Sequence, residues 1–71
     1  MSDVEAHVAA NVWKIECEVG QQVEEGDTLV VLEARKVEMR VTADDRGEVK
    51  AIPVTEGQAV AEGDTLVTLE G

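Results

Sequence analysis

Two stretches of this chain are near-copies of one another. Gly20 to Glu33 and Gly57 to Glu70, aligned with a shift of 37, agree at 11 of 14 positions, far beyond coincidence. Extended backward, Val12 meets Val49 and Ile15 meets Ile52, so each copy opens on the same Val-x-x-Ile spacing. The repeat covers 11–33 and 48–70. Two copies are too few for a capped solenoid, and the pattern predicts one closed domain over residues 1–71 with approximate two-fold symmetry. Between the copies lies Glu33-Ala34-Arg35-Lys36-Val37-Glu38; after the second copy the sequence stops at Gly71. The segment and the termini are therefore expected at opposite ends.

The repeat also decides the conformation of its own opening. Val4, Val8, Val12, Ile15 and Val19 have helical spacing, while Val4, Ala6, Val8 and Ala10 alternate as in a strand. Pro53 occupies in copy two the place of Glu16 in copy one, and an interior proline costs a helix about 3 kcal/mol. Both segments are expected to be extended, with a bulge or bend between the Val and the Ile. Thirteen valines against a single aromatic residue point the same way, because branched side chains fit a pleated surface.

Gly20 and Gly26-Asp27 bracket a short stretch around Val23, and Gly57 and Gly63-Asp64 do the same around Val60, as tight turns require. Strands are expected at 28–33 and 65–70, with Val30, Leu32, Val67 and Leu69 inward and Glu33 outward. Past Lys36, the apolar set Val37, Met39 and Val41 alternates with Glu38, Arg40 and Thr42, a half-buried strand. Asp44-Asp45-Arg46-Gly47 reads as a turn closed by glycine. The sum is an all-β domain of about eight short strands, with a hairpin tipped by Ala34-Arg35-Lys36-Val37. By parity, Lys36 shares the outward face with Glu38 and Arg40.

The chemistry available is narrow. A net charge of −10 excludes nucleic acid and anionic membrane as partners, and the repulsion favours a monomer. No signal-like or membrane-spanning run is present, and the lone Cys17 fits a reducing compartment, so the chain reads as cytosolic. His7, in an expected edge strand, has no nucleophile at a recognisable spacing. Cys17 lies between Glu16 and Glu18, where a thiolate is disfavoured, and Trp13 is expected to pack one end of the barrel. The sixteen acids form no metal loop. Lys36 stands apart: with Arg35 and Arg40 it concentrates three of six basic residues within six positions, where symmetry puts a protruding turn. A four-carbon stem ending in an exposed amine suits a modifying enzyme.

At these residues the chain resembles the biotinyl/lipoyl attachment family, over nearly its whole length. Glu33-Ala34-Arg35-Lys36-Val37-Glu38 is similar to the Glu-Ala-Met-Lys-Met-Glu signature of biotinyl domains, and the resemblance is closest to small stand-alone bacterial attachment proteins. It implies a flattened barrel of two four-stranded antiparallel sheets related by a pseudo-two-fold axis, with the modified lysine at a hairpin tip. It implies a non-catalytic carrier, in which Lys36 takes biotin from a biotin protein ligase and serves a biotin carboxylase and a carboxyltransferase. Glu33, Ala34, Lys36 and Glu38 match the signature, whereas Arg35 and Val37 replace its methionines. Val37 leans toward the Asp-Lys-Val of lipoyl domains, which makes lipoate the alternative cofactor, and an unmodified barrel is a third reading. Ala10 stands where the second copy has Gly47, and no insertion separates Val19 from Val23, so the thumb of some carriers is not expected.

Overall fold

The computed structural model describes residues 2–71. Eight strands form in chain order: β1 (Ser2–Glu5), β2 (Ala10–Ile15), β3 (Gln22–Val23), β4 (Thr28–Ala34), β5 (Val37–Thr42), β6 (Gly47–Ala51), β7 (Ala59–Val60) and β8 (Thr65–Glu70). They make two antiparallel four-stranded sheets, a terminal sheet ordered β1-β8-β6-β3 and a hairpin sheet ordered β5-β4-β2-β7. The shift of 37 carries β2, β3 and β4 onto β6, β7 and β8, and in reverse it carries Met39–Thr42 of β5 onto β1. Each sheet is thus the image of the other. The symmetry extends further than the repeat in the sequence, because β1 and β5 share only Val4/Val41 and, just beyond, Ala6/Ala43.

Backbone hydrogen bonds repeat with the strands. Ala6 N donates to Asp64 O and Ala43 N to Asp27 O, each at 2.9 Å; Gly63 N donates to Ala6 O and Gly26 N to Ala43 O, again at 2.9 Å. The four glycine turns are also one device used four times. Gly20, Gly26, Gly57 and Gly63 have φ between 90° and 94°, which suits the third position of a type II turn and favours glycine. The residue after each glycine locks its turn: the Gln21, Asp27, Gln58 and Asp64 side chains accept from the N–H three residues earlier, at 2.9–3.1 Å. That explains why the turns are written Gly-Gln and Gly-Asp.

The expected bulges are present. Val12 pairs with Leu32 and Lys14 with Val31, leaving Trp13 as the extra residue; Val49 pairs with Leu69 and Ala51 with Thr68, leaving Lys50. A second pair of bulges was not legible in the alternation. Thr28 and Val30 pair with Thr42 and Val41 across an unpaired Leu29, and Leu66 is skipped in the same way between β1 and β8. The inserted residue lets Leu29 and Val30, and likewise Leu66 and Val67, be buried in succession. Val30, Leu32, Val67 and Leu69 face inward as expected, and Val12, Val23 and Val49 complete the most deeply buried group.

Four expectations need correction. Trp13 packs no end of the barrel; as the bulged residue it is 49% exposed on the outside of the hairpin sheet. His7 lies in an exposed bend after β1, outside the edge strand. Gly47 begins β6 with no positive φ: a Cβ there would lie 3.0 Å from the Glu70 carbonyl oxygen, so close approach of backbone, rather than a turn, calls for glycine. Val37, expected inward, is 58% exposed, because the hairpin runs out beyond the core at its tip.

The Cα extents are 33 × 18 × 17 Å. From the Asn11–Glu33 rung beneath the hairpin, the chain runs down β2 and through Gly20 to the rung of Gln22, Glu48 and Glu70 at the other end. Ser2 pairs with Leu69 beside that rung. The Lys36 hairpin and the Ser2–Leu69 rung therefore occupy opposite poles of the long axis.

Candidate functional site

The β4–β5 hairpin is held by a ladder running from Thr28–Thr42 to Ala34–Val37, which leaves a two-residue loop, Arg35-Lys36. Two-residue hairpin loops favour the type I′ turn, whose twist matches that of the strands but which requires positive φ at both central residues. Arg35 has φ 53° and Lys36 φ 66°, and they are the only non-glycine residues with positive φ among those described. Neither is the usual Asn or Gly, so the loop carries backbone strain of roughly 1–2 kcal/mol per residue. The strain is sustained by the ladder below. It fixes Lys36 at the apex, with a backbone direction the flanking strands dictate.

Burial falls steadily toward the tip: Val41 is buried, Met39 half-buried and Val37 exposed. Arg35, Lys36 and Glu38 are exposed, while Glu33 and Ala34 are half-buried. Glu33 and Glu38 face each other one rung below Ala34–Val37, a like-charge pair that costs sheet stability but surrounds the two cations with acid. The Lys36 amine makes no ion pair or hydrogen bond among the described residues. The hairpin thus presents a primary amine with four-carbon reach, held off the body and free of partners.

Lys50 is the instructive contrast. Its ammonium lies 3.3 Å from Glu70 and 3.7 Å from Glu48, and the hydrogen bond to Glu70, with the charge of Glu48, raises its pKa above the ordinary lysine value. The Lys14 Nζ lies over the Trp13 ring, 6.0 Å from its centroid. Of the three lysines, Lys36 alone projects without a partner.

The other residues considered for chemistry are not brought to the hairpin tip. Cys17 is buried at 5% exposure, and burial pushes its thiol pKa up, away from nucleophilic thiolate. His7 faces a shallow groove between the edge strands, beside Arg40 and Asp44 at the base of β5. Sequence reasoning located the hairpin but missed its strained turn. No residue type announced it, since the positive φ follows from the pairing of Ala34 with Val37, two residues the spacing had placed in the tip.

At the exposed loop, burial alone predicts that Arg35 substitutions are neutral; the positive φ does not. Arg35→Asn is expected to raise stability by roughly 0.5 kcal/mol, because Asn tolerates this conformation, and Arg35→Ile to lower it by roughly 1–2 kcal/mol. Urea unfolding of both variants checks the ordering, and equal stabilities would contradict the turn type.

A barrel of two rotationally related sheets that holds an unpartnered lysine amine at the apex of a protruding hairpin has the form of a carrier domain, which presents a group to other active sites. The sequence pattern of the family described as "Biotin-requiring enzyme" matches residues 1–69, and the chain belongs to this biotin/lipoyl attachment family. It is 39% identical over 53 residues to the "Biotin/lipoyl attachment protein" of Bacillus subtilis, covering 75% of this chain and 73% of that one. Over 97% of its length it superposes on part of the Kluyveromyces lactis urea carboxylase, with TM-score 0.91 and 32% identity, and it spans 6% of that chain. The lipoyl domain of the 2-oxoglutarate dehydrogenase complex from Azotobacter vinelandii aligns over 90% of this chain and 81% of its own, with TM-score 0.76 and 28% identity.

Proposed function

We propose that this domain is a biotin carboxyl carrier, with Lys36 as the attachment residue. The observation that carries the reading is the Lys36 amine, unpartnered at the apex of a strained two-residue turn and framed by Glu33, Ala34 and Glu38. Attachment by a biotin protein ligase would form an amide between Lys36 Nζ and the biotin carboxyl carbon. The ligase would supply that carboxyl group in activated form at the cost of ATP, and the Lys36 amine would displace the activating group and lose a proton as the amide forms. When bound, biotin supplies the carboxyl-carrying chemistry. The chain's own contribution is to hold the arm at one end of a body 33 Å long, so that the hairpin enters a cleft while the rest of the domain stays outside. Acylation also removes the Lys36 charge, leaving Arg35 as the cation of the tip.

Biotin carboxylase and carboxyltransferase are the partners this reading assigns. Tethering lets one arm serve both sites at high effective concentration without release. We place the carrier in the cytosol, where an unpaired thiol such as that of Cys17 persists. Val37, and the alignment with a lipoyl domain, favour lipoate as the second reading. Co-expression with a biotin ligase in one culture and a lipoate ligase in another, followed by intact mass, separates them. Biotin addition is expected; lipoate addition alone would replace the first reading with the second, and no addition in either culture would leave an unmodified barrel.

A further inference from the structure

The two sheets share a backbone plan, so each is a control for the other. Their outer faces differ where the plan does not require it. In the terminal sheet the bulged residue is Lys50, neutralised by Glu48 and Glu70, with Ala51, Thr68 and Asp3 on the neighbouring rungs. The positions related by the shift of 37 in the hairpin sheet are Trp13 at the bulge, with Lys14, Val31 and Arg40. Val31 is buried at 6% exposure yet lies outside the core cluster, so it is covered from the outer face and the accessible apolar surface of this strip is that of Trp13. Lys14 and Arg40 are the cross-strand partners of Val31 on either side. Trp13, the only aromatic residue of the chain, stands 49% exposed beside it.

Stability does not account for this face. The barrel accepts a solvated lysine at the equivalent bulge, and half of the Trp13 surface gains nothing from folding. Its position does have a use. The Trp13 bulge lies between the rungs of Val31 and Leu32, three to four residues below Arg35, or roughly 10–13 Å along the strand from the apex. An enzyme that grips the Lys36 hairpin meets this strip next.

Resting on the biotin-carrier reading, we infer that the Trp13–Lys14–Val31–Arg40 face is the docking surface for the biotin-attaching enzyme, through an apolar pocket rimmed by carboxylates. Charge complementarity selects that partner chemistry. The hairpin from Val31 to Arg40, together with Lys14, carries four basic and two acidic groups, and the rest of the chain carries two basic and fourteen acidic ones. A carboxylate-rimmed pocket repels every other side of the domain and attracts this one, so charge sets the approach and Trp13 anchors it. The surface also distinguishes Lys36 from Lys50, which sits on a sheet of the same plan with no such strip.

Steady-state biotinylation of the intact chain by a biotin protein ligase tests the inference. Trp13→Lys, which installs the residue of the equivalent bulge, is expected to raise KM for the carrier about tenfold with kcat within about twofold, as loss of an anchor requires. Lys14→Glu/Arg40→Glu is expected to raise KM similarly and to weaken its salt dependence. Lys50→Ala, on the other sheet, should leave both constants unchanged. Circular dichroism confirms folding of each variant, and the charge-reversal pair decides the matter if Trp13→Lys folds poorly. Unchanged KM in a folded Trp13→Lys, or in the charge-reversal pair when only that variant folds, overturns the docking surface alone. So does an equal rise in Lys50→Ala. A wild-type chain that accepts no biotin overturns the carrier reading and this inference with it.

Discussion

Replacing Lys36 by Arg is expected to abolish cofactor attachment altogether. Arginine keeps the positive charge and brings no new branching to the strained turn, but its guanidinium stays protonated and offers no nucleophilic nitrogen at neutral pH. The two remaining lysines are not expected to substitute. Lys50 is held between Glu48 and Glu70, and Lys14 lies against Trp13 in the middle of a sheet. Neither stands on a protruding loop. Intact mass after co-expression with the attaching ligase should show addition on wild type and none on Lys36→Arg. Full addition to the variant would move the attachment point elsewhere and remove the basis for reading the hairpin as functional. Because Arg35 and Lys36 both occupy positive φ, the variant should retain the wild-type stability within about 0.5 kcal/mol, so loss of modification would not reflect loss of fold.

The second large effect lies in the core. Leu32 and Leu69 are symmetry-related and buried to 0% and 2% exposure. Truncating either to Ala is expected to cost roughly 2–5 kcal/mol, through lost burial and the cavity left behind. A domain of this length has about 3–5 kcal/mol in total from such a core, so either variant should be partly or wholly unfolded at room temperature. The symmetry adds a sharper requirement, that the two losses be alike. Thermal unfolding checks both points. Either variant melting with the wild type would contradict the strand parity, and a large loss at one site alone would mean that the halves do not share the load equally.

Much of this architecture was legible because the chain states it twice. Pro53 excluded a helix for both copies, the Val-x-x-Ile spacing located the bulges at Trp13 and Lys50, and matched glycines marked four turns. What escaped was written only once or in geometry. β1 completes the symmetry by matching β5, but the match rests on Val4/Val41 and Ala6/Ala43, too little to register as repetition. Leu29 and Leu66 broke the alternation because each is an inserted residue, and no propensity distinguishes an inserted leucine from an ordinary one. A large aromatic such as Trp13 is usually buried; its outward direction follows from Val12 taking the inward place at the bulge. At the hairpin, the exposure of Lys36 could be read from spacing. The positive φ of Arg35 and Lys36 could not, because neither residue type favours it, and only the pairing of Ala34 with Val37 imposes it.

The rung that joins Ser2 to Leu69 brings the first and last strands together at the pole farthest from the hairpin. Any leash spliced on there would trail behind the body while the lysine leads, like a mooring line on a boat that docks bow first. Its length would set how far the bow can travel between berths, and changing it would alter reach without disturbing the fit at either quay.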